Sequence, residues 1–281
     1  MSGVPRVRPM SVADVEPAAL AILRDDWGDR RAHLAFAATH PGIRAFVAEA
    51  DGTVVGTGMA TVNGPVAWIG TVWVDPGHRR HGLGRALTAA AIEAAEAEGC
   101  RTLVLVATEA GRPLYESMGF EIQTRYRILE AIGLGPDDGS PDPRIRPYRD
   151  DDLETMIALD RAATGEDRAH LLAAFASPTT ARCLVGDDDR PRGFVVRAPW
   201  GGGATIAPDM DDARAILRAR RLAAGPSGRV RAGLLEANVA GLERLAHDGW
   251  HRSWEAPRLV RGAPLDWRPA AIWGQFNHAM G

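Results

Sequence analysis

Apolar and polar positions along the first half of the chain switch repeatedly between a period of two and a period near 3.6. Val7 lies in a short strand. Val12 to Leu23 reads as an amphipathic helix with Ser11 at its N-cap, and Arg30 to Thr39 as a second. Ile43 to Ala50 and Thr53 to Val62 alternate as strands around Asp51-Gly52, a hairpin signal, and Val66 to Val74 continues the same sheet. Leu83 to Glu98 predicts a long helix with Leu83, Leu87, Ala91 and Ala94 on one face. Ile92 falls off that stripe and predicts a second neighbour. Gly99 stops the helix. Thr102 to Val106 is a buried strand, Ala110 to Ser117 a short helix, and Phe120 to Ile128 a strand. The pattern predicts a mixed α/β (α+β) fold, a central sheet with helices on both faces.

The pattern then recurs. "VRPMSVADVEPAAL" from Val7 is echoed by "IRPYRDDDLETMIAL" from Ile145. Fainter echoes link Asp51–Val62 to Asp189–Pro199 and Leu114–Leu129 to Leu245–Val260, at offsets of roughly 130 to 138 residues. One unit occurs twice in tandem. "GLGPDDGSPDP", dense in Gly, Pro and Asp, reads as a linker. The expected domains are 1–132 and 143–281, joined by 133–142.

Composition narrows the function classes. The chain has 281 residues and a net charge of −3, so no overall basic field points to nucleic acid. All 33 basic residues are arginine. The arginine-rich "RAILRARRL", Arg214 to Leu222, reads as a solvated helix face. Cys100 and Cys183 stand far apart, without metal-ligand or disulfide spacing, and read as buried thiols. No apolar run reaches membrane-span length, and no secretory leader is visible. The expectation is a cytoplasmic protein, monomeric or homodimeric, without metal, nucleic acid or membrane as a partner.

The chemistry concentrates in "HRRHGLGRAL". Arg79, Arg80 and His81 stand before Gly82, Leu83, Gly84 and Arg85, at the mouth of a helix whose N-terminus is already positive. Side-chain-free positions there let an anion approach the unpaired N–H groups. Neither the lysine of a P-loop nor a third dinucleotide-binding glycine is present. The whole string "VWVDPGHRRHGLGRAL", with R-x-x-G-x-G before a helix, resembles the acetyl-CoA signature of the GNAT acetyltransferase superfamily. "ATEAGRPLYESMGF" resembles that family's short helix carrying Tyr before Gly-Phe. The tandem layout is similar to bacterial members with a degenerate second domain.

The resemblance implies a central sheet that splays to admit the thioester of acetyl-CoA, the co-substrate. It implies backbone groups of Val72 and Val74 for the pantetheine arm and Arg79 to Arg85 for the pyrophosphate. Thr108 stands where many members have Asn, and Arg112 is a candidate for the 3′-phosphate. It also implies Tyr115 as general acid, in direct attack by an amine on the acetyl group. The acceptor is expected to be a small-molecule or peptide amine. The strand Val66–Val74 carries no acid to act as base. Asp26 and His33 are the candidates for that role, and Trp27, Trp73, Asp167 and Arg168 are candidate substrate contacts. The second copy has Ala207-Pro208-Asp209 in place of the basic loop, with Asp211 and Asp212 following. It is expected to bind no CoA and to serve a structural or substrate role. Tyr115 and the arginine–glycine loop favour an enzyme. The missing strand acid favours the alternative, an acyl-CoA-binding sensor or scaffold.

Overall fold

A computed structural model describes residues 5–25 and 27–281. The first copy comprises β1 (Arg6–Pro9), α1 (Val15–Leu23), α2 (Arg31–Thr39), β2 (Ile43–Ala50), β3 (Thr53–Asn63), β4 (Val66–Val74), α3 (Leu83–Ala97), β5 (Thr102–Val106), α4 (Arg112–Glu116) and β6 (Glu121–Ile132). The second follows in the same order: β7 (Ile145–Pro147), α5 (Leu153–Thr164), α6 (Ala169–Phe175), β8 (Ala181–Val185), β9 (Pro191–Arg197), β10 (Gly203–Ile206), α7 (Met210–Ala224), β11 (Arg229–Leu235), α8 (Val239–His247) and β12 (His251–Gly262). A last strand, β13 (Ile272–Gly274), closes the series.

The duplication extends to single ion pairs. Arg8 grips Asp14 with two hydrogen bonds of 2.8 and 2.7 Å, and Asp14 also accepts from the Ser11 N–H and hydroxyl. In the second copy Arg146 grips Asp152 through bonds of 2.7 and 2.8 Å. Each arginine also reaches an acid beside the next hairpin, Glu49 or Asp189. The β2–β3 hairpin turns at Asp51 and Gly52, both at positive φ (49° and 73°), as a two-residue turn demands. On α3 the buried face is Leu83, Leu87, Thr88, Ala91, Ile92 and Ala95. Ala95 therefore replaces Ala94 in the expected stripe, because the helix buries a wider arc that also takes in Ile92.

The chain divides into two compact units, at boundaries other than those expected from composition. The first comprises residues 1–121, 259–264 and 278–280, and the second 122–258, 265–277 and 281. Strand β6 thus leaves the first unit at Ile122, and β12 contributes its last residues to it from Leu259. In the first unit β1-β2-β3-β4-β5 lie in that order, continued by the C-terminal end of β12. In the second, β12, β6 and β11 are neighbours, and β13-β10-β9-β8-β7 form a separate sheet. The first-unit core packs Ala91, Ile92 and Ala95 of α3 against Ile69, Leu103 and Leu105, with Leu259 from β12 among them. Among the described residues no helix is long and apolar enough to cross a membrane.

Candidate active site

The centre of the first unit is an opened sheet. Parallel strands β4 and β5 pair only over Val66–Trp68 and Thr102–Val104, and β4 then runs on alone on that side to Val74. Its register against β3 shifts between Met59↔Gly70 and Thr57↔Trp73, so a bulge forms at Thr71 and Val72. Thr71 takes φ = +51°, strained for a β-branched residue. Three neighbours hold it there. The Thr57 hydroxyl donates to the Thr71 carbonyl at 2.8 Å. Thr71 Oγ1 lies 3.0 Å from His33 Nε2 and 3.6 Å from Met59 Sδ.

Beyond the opening, the chain enters α3 through the arginine–glycine loop. Arg80 (φ 67°) and Gly82 (φ 81°) are both left-handed, which turns successive N–H groups toward one side. No side chain caps the helix at Gly82, and nothing occupies the space where its Cβ would stand. The first-turn N–H groups therefore have no side-chain cap and stand at the positive end of the helix dipole. At Gly84 a Cβ would stand 3.4 Å from Leu114 and 3.9 Å from Val74, an ordinary contact with both. Leu83 is buried in the core, Arg85 donates to Ser117 Oγ at 2.6 Å, and His81 is exposed. Arg79 is turned away from the helix mouth. Its Nε donates to the Val74 carbonyl at 2.9 Å, and its Nη2 pairs with Asp25. Asp25 also accepts from Trp73 Nε1 at 2.9 Å. Sequence reasoning missed Asp25, although it stands in the same "RDDWGDR" run as the candidates chosen.

Tyr115, on α4, packs edge-on against Phe120 with ring centroids 6.3 Å apart. Its hydroxyl makes no hydrogen bond among the described residues, and burial pushes its pKa up to about 12. The phenol is thus fully protonated near neutral pH. Thr108 Oγ1 accepts from the Gly111 N–H at 3.1 Å and so caps the turn into α4. Arg112, the 3′-phosphate candidate, sits between Glu109 and Glu116, each at 3.2 Å. His33 is buried, and burial, helped by Arg30, lowers its pKa to about 4. Trp73 is buried in the core and Trp27 half-buried. Asp26 lies outside the described residues.

Two candidate substrate contacts in the second unit have partners within that unit. Arg168 is buried and doubly bonded to Asp160 at 3.0 and 2.5 Å, with Phe276 beneath its guanidinium. Asp167 pairs with Arg161 and accepts from the Ala169 N–H. At the start of α7, Asp209 accepts from the N–H groups of Asp211 and Asp212 at 2.8 and 3.1 Å. The helix equivalent to α3 is therefore closed by its own side chain.

Comparison with known proteins finds one family in both copies. Residues 12–120 match the model of the acetyltransferase (GNAT) family, and residues 156–274 that of an acetyltransferase (GNAT) domain. The uncharacterized N-acetyltransferase YitH of Bacillus subtilis is 31% identical over 224 residues, covering 78% of each chain. The chain belongs to the GNAT acetyltransferase family. This acetyltransferase shares its fold over nearly its full length with a candidate acetyltransferase of Pyrococcus horikoshii. That likeness has a TM-score of 0.81 at 19% identity and covers 99% and 96% of the two chains. A tandem GNAT protein of the clavulanic acid biosynthesis pathway matches with a TM-score of 0.58 at 16% identity, over 94% and 100%. The protein is thus a tandem GNAT N-acetyltransferase. It is an enzyme that moves an acetyl group from acetyl-CoA to an amine, and the comparisons do not favour the sensor alternative. The residues present suit that co-substrate: an uncapped helix start with open space at Gly82, next to a sheet that opens.

Proposed function

We propose that the first unit carries the whole cofactor and acid apparatus, and that it serves a small-molecule or peptide amine in the cytoplasm. The carrying observation is the contrast between two equivalent helix starts. At α3 the start is uncapped, left-handed at Gly82 and beside the splayed strands; at α7 it is capped by Asp209. The first-turn N–H groups from Leu83 onward, with Arg80, His81 and Arg85 around them, would hold the pyrophosphate. Arg79 joins them on releasing Asp25. The unpaired stretch of β4 at Val72 and Val74 would take the pantetheine arm.

Acetyl-CoA supplies an activated thioester, which an amine attacks directly. The protein's own part is orientation and proton placement. A thiol resembling cysteine has a pKa near 8.5, well below the value of about 12 for Tyr115. Complete proton transfer from Tyr115 to the departing sulfur is therefore uphill. Tyr115 acts by donating a hydrogen bond to the charge that develops there, an effect near the low end, ~10²-fold, of general-acid contributions. His33 is unsuited to hold a proton taken from an ammonium group. An alkylammonium pKa near 10.4 against about 4 is a gap on the order of 9 kcal/mol. His33 instead supports Thr71 at the bulge, and the amine arrives already deprotonated. The test is calorimetric titration of CoA into the full chain, alongside kinetics with a panel of amines. Affinity unchanged in Gly82→Asp would overturn the pyrophosphate assignment.

A further inference from the structure

Three of the four arginines of α7 keep to the surface, as their spacing predicts, and find partners there; the fourth does not. Arg214 pairs with Asp248 at 2.6 Å, Arg218 donates to the Ser140 carbonyl at 2.7 Å, and Arg221 lies 5.8 Å over the ring of Trp250. Arg220 turns inward, onto a cavity of about 750 Å³ that lies wholly within the second unit. Its Nη1 is buried and has no hydrogen-bond partner among the described residues. Burial, and then the neighbouring charge of Arg197, lower its pKa to about 10.

Five guanidiniums line this cavity, from Arg182, Arg197, Arg220, Arg229 and Arg231, against one carboxylate, Glu130. That carboxylate is already taken: Arg229 and Arg231 bind its two oxygens at 2.6 and 3.0 Å. Arg182 donates to the carbonyls of Pro178 and Ala181. Among the described residues no carboxylate pairs with Arg197 or Arg220. The remaining wall is largely apolar, with Val195, Ile216, Leu222 and Val230.

The other copy shows what has changed. Arg44, second residue of β2, binds Glu98, the residue that follows α3. Arg182 is the second residue of β8, but the residue that follows α7 is Gly225. Where α3 carries the exposed Glu93, α7 carries Arg220 at the same position in a helix of equal length. The second copy has lost one acid at this end of its helix and exchanged another for a cation. Complementing the helix C-terminus does not require a buried arginine, since Arg218 and Arg221 already stand on the same turn. A cation removed from water without a partner is costly to the fold.

We propose that this cavity binds a small organic anion, its carboxylate or phosphate held by Arg197 and Arg220 and its apolar body against Val195 and Ile216. The volume suits a metabolite-sized ligand, and forked guanidiniums suit either oxyanion. The site belongs to the second unit and does not depend on the assignment of residues 79–85.

The experiment uses the full chain carrying Gly82→Asp, so that anions are not drawn to the start of α3. Inorganic phosphate and citrate are titrated separately by calorimetry and by thermal melting. One of them should bind at one site per chain and raise Tm by several degrees at ~100 times its Kd; which one does so identifies the headgroup. Arg220→Met and Arg197→Gln should each weaken that binding at least tenfold. Without anion, Arg220→Met should melt above its parent, because it removes an uncompensated charge. Absence of binding by both probes at millimolar concentration overturns the proposal. So does binding that survives Arg220→Met, or an Arg220→Met protein that melts lower without anion.

Discussion

Burial acts in opposite directions on Tyr115 and His33, and both effects are measurable. For Tyr115 it keeps the proton on, so Tyr115→Phe should lower kcat by up to ~10²-fold with CoA affinity unchanged by calorimetry. Wild-type kcat across the pH range would show the ring to be purely structural. For His33 burial keeps the proton off. With a folded pKa of about 4 and an unfolded value near 6.5, its neutral form contributes stability that is complete above pH ~6.5. That contribution is lost as pH falls toward 4, by on the order of 3 kcal/mol. Urea midpoints should fall across that window, and His33→Gln should flatten the fall. The same pKa predicts no limb near 6.5 in kcat/KM, which should rise with pH until the acceptor amine is deprotonated. At this scale the sequence was legible for residue types, less so for directions. Arg79 was identified, but not its turn toward Asp25. Arg168 was noticed as polar and proved to be buried against Asp160, because only the fold brings residues 160 and 168 together.

Strand and helix positions were largely legible, because period and punctuation agree along most of the first copy: β4 falls at Val66–Val74 and the buried strand β5 at Thr102–Val106, as read from the sequence. The bulge was not legible. A threonine at positive φ contradicts its own local preference, and only the surrounding Thr57, His33 and Met59 hold it there. Likewise "RAILRARRL" looks solvated until α7 packs and one arginine faces inward. The contrast between α3 and α7 yields two element-scale expectations. Gly82→Asp should abolish CoA binding, since it adds both a carboxylate and a side chain at φ +81°, while circular dichroism stays native. Asp209→Ala should cost ~1 kcal/mol of stability by removing the α7 cap and leave the CoA stoichiometry at one per chain. A second site appearing there would show that the cap alone blocks it.

For the whole molecule, the division into units follows contacts that composition does not reveal. The Gly-, Pro- and Asp-rich stretch 133–142 looks like a boundary, yet the first unit ends at Glu121 and regains 259–264 and 278–280. Three hydrogen bonds inside it depend on those late residues: Thr61 to the Ala279 carbonyl at 2.8 Å, Asn63 to Met280 at 3.1 Å and Thr102 to Ala263 at 2.8 Å. A 1–135 fragment loses these three hydrogen bonds and lacks Leu259 from its core. It should therefore be insoluble or inactive, whereas co-expression with 136–281 should restore activity. A soluble, fully active 1–135 fragment would contradict this.

The same exchange sets an order of events during synthesis. The unit that holds Tyr115 cannot complete its core until the chain has been made through Met280. At ~5–20 residues per second, that leaves it waiting on the order of ten seconds or more after Glu121 has been added. Until β12 has been made, the edge of β5 stands without that neighbour, exposed to other chains emerging nearby. A ribosome that stalls late in the message therefore releases a product with every catalytic residue and no closed catalytic unit.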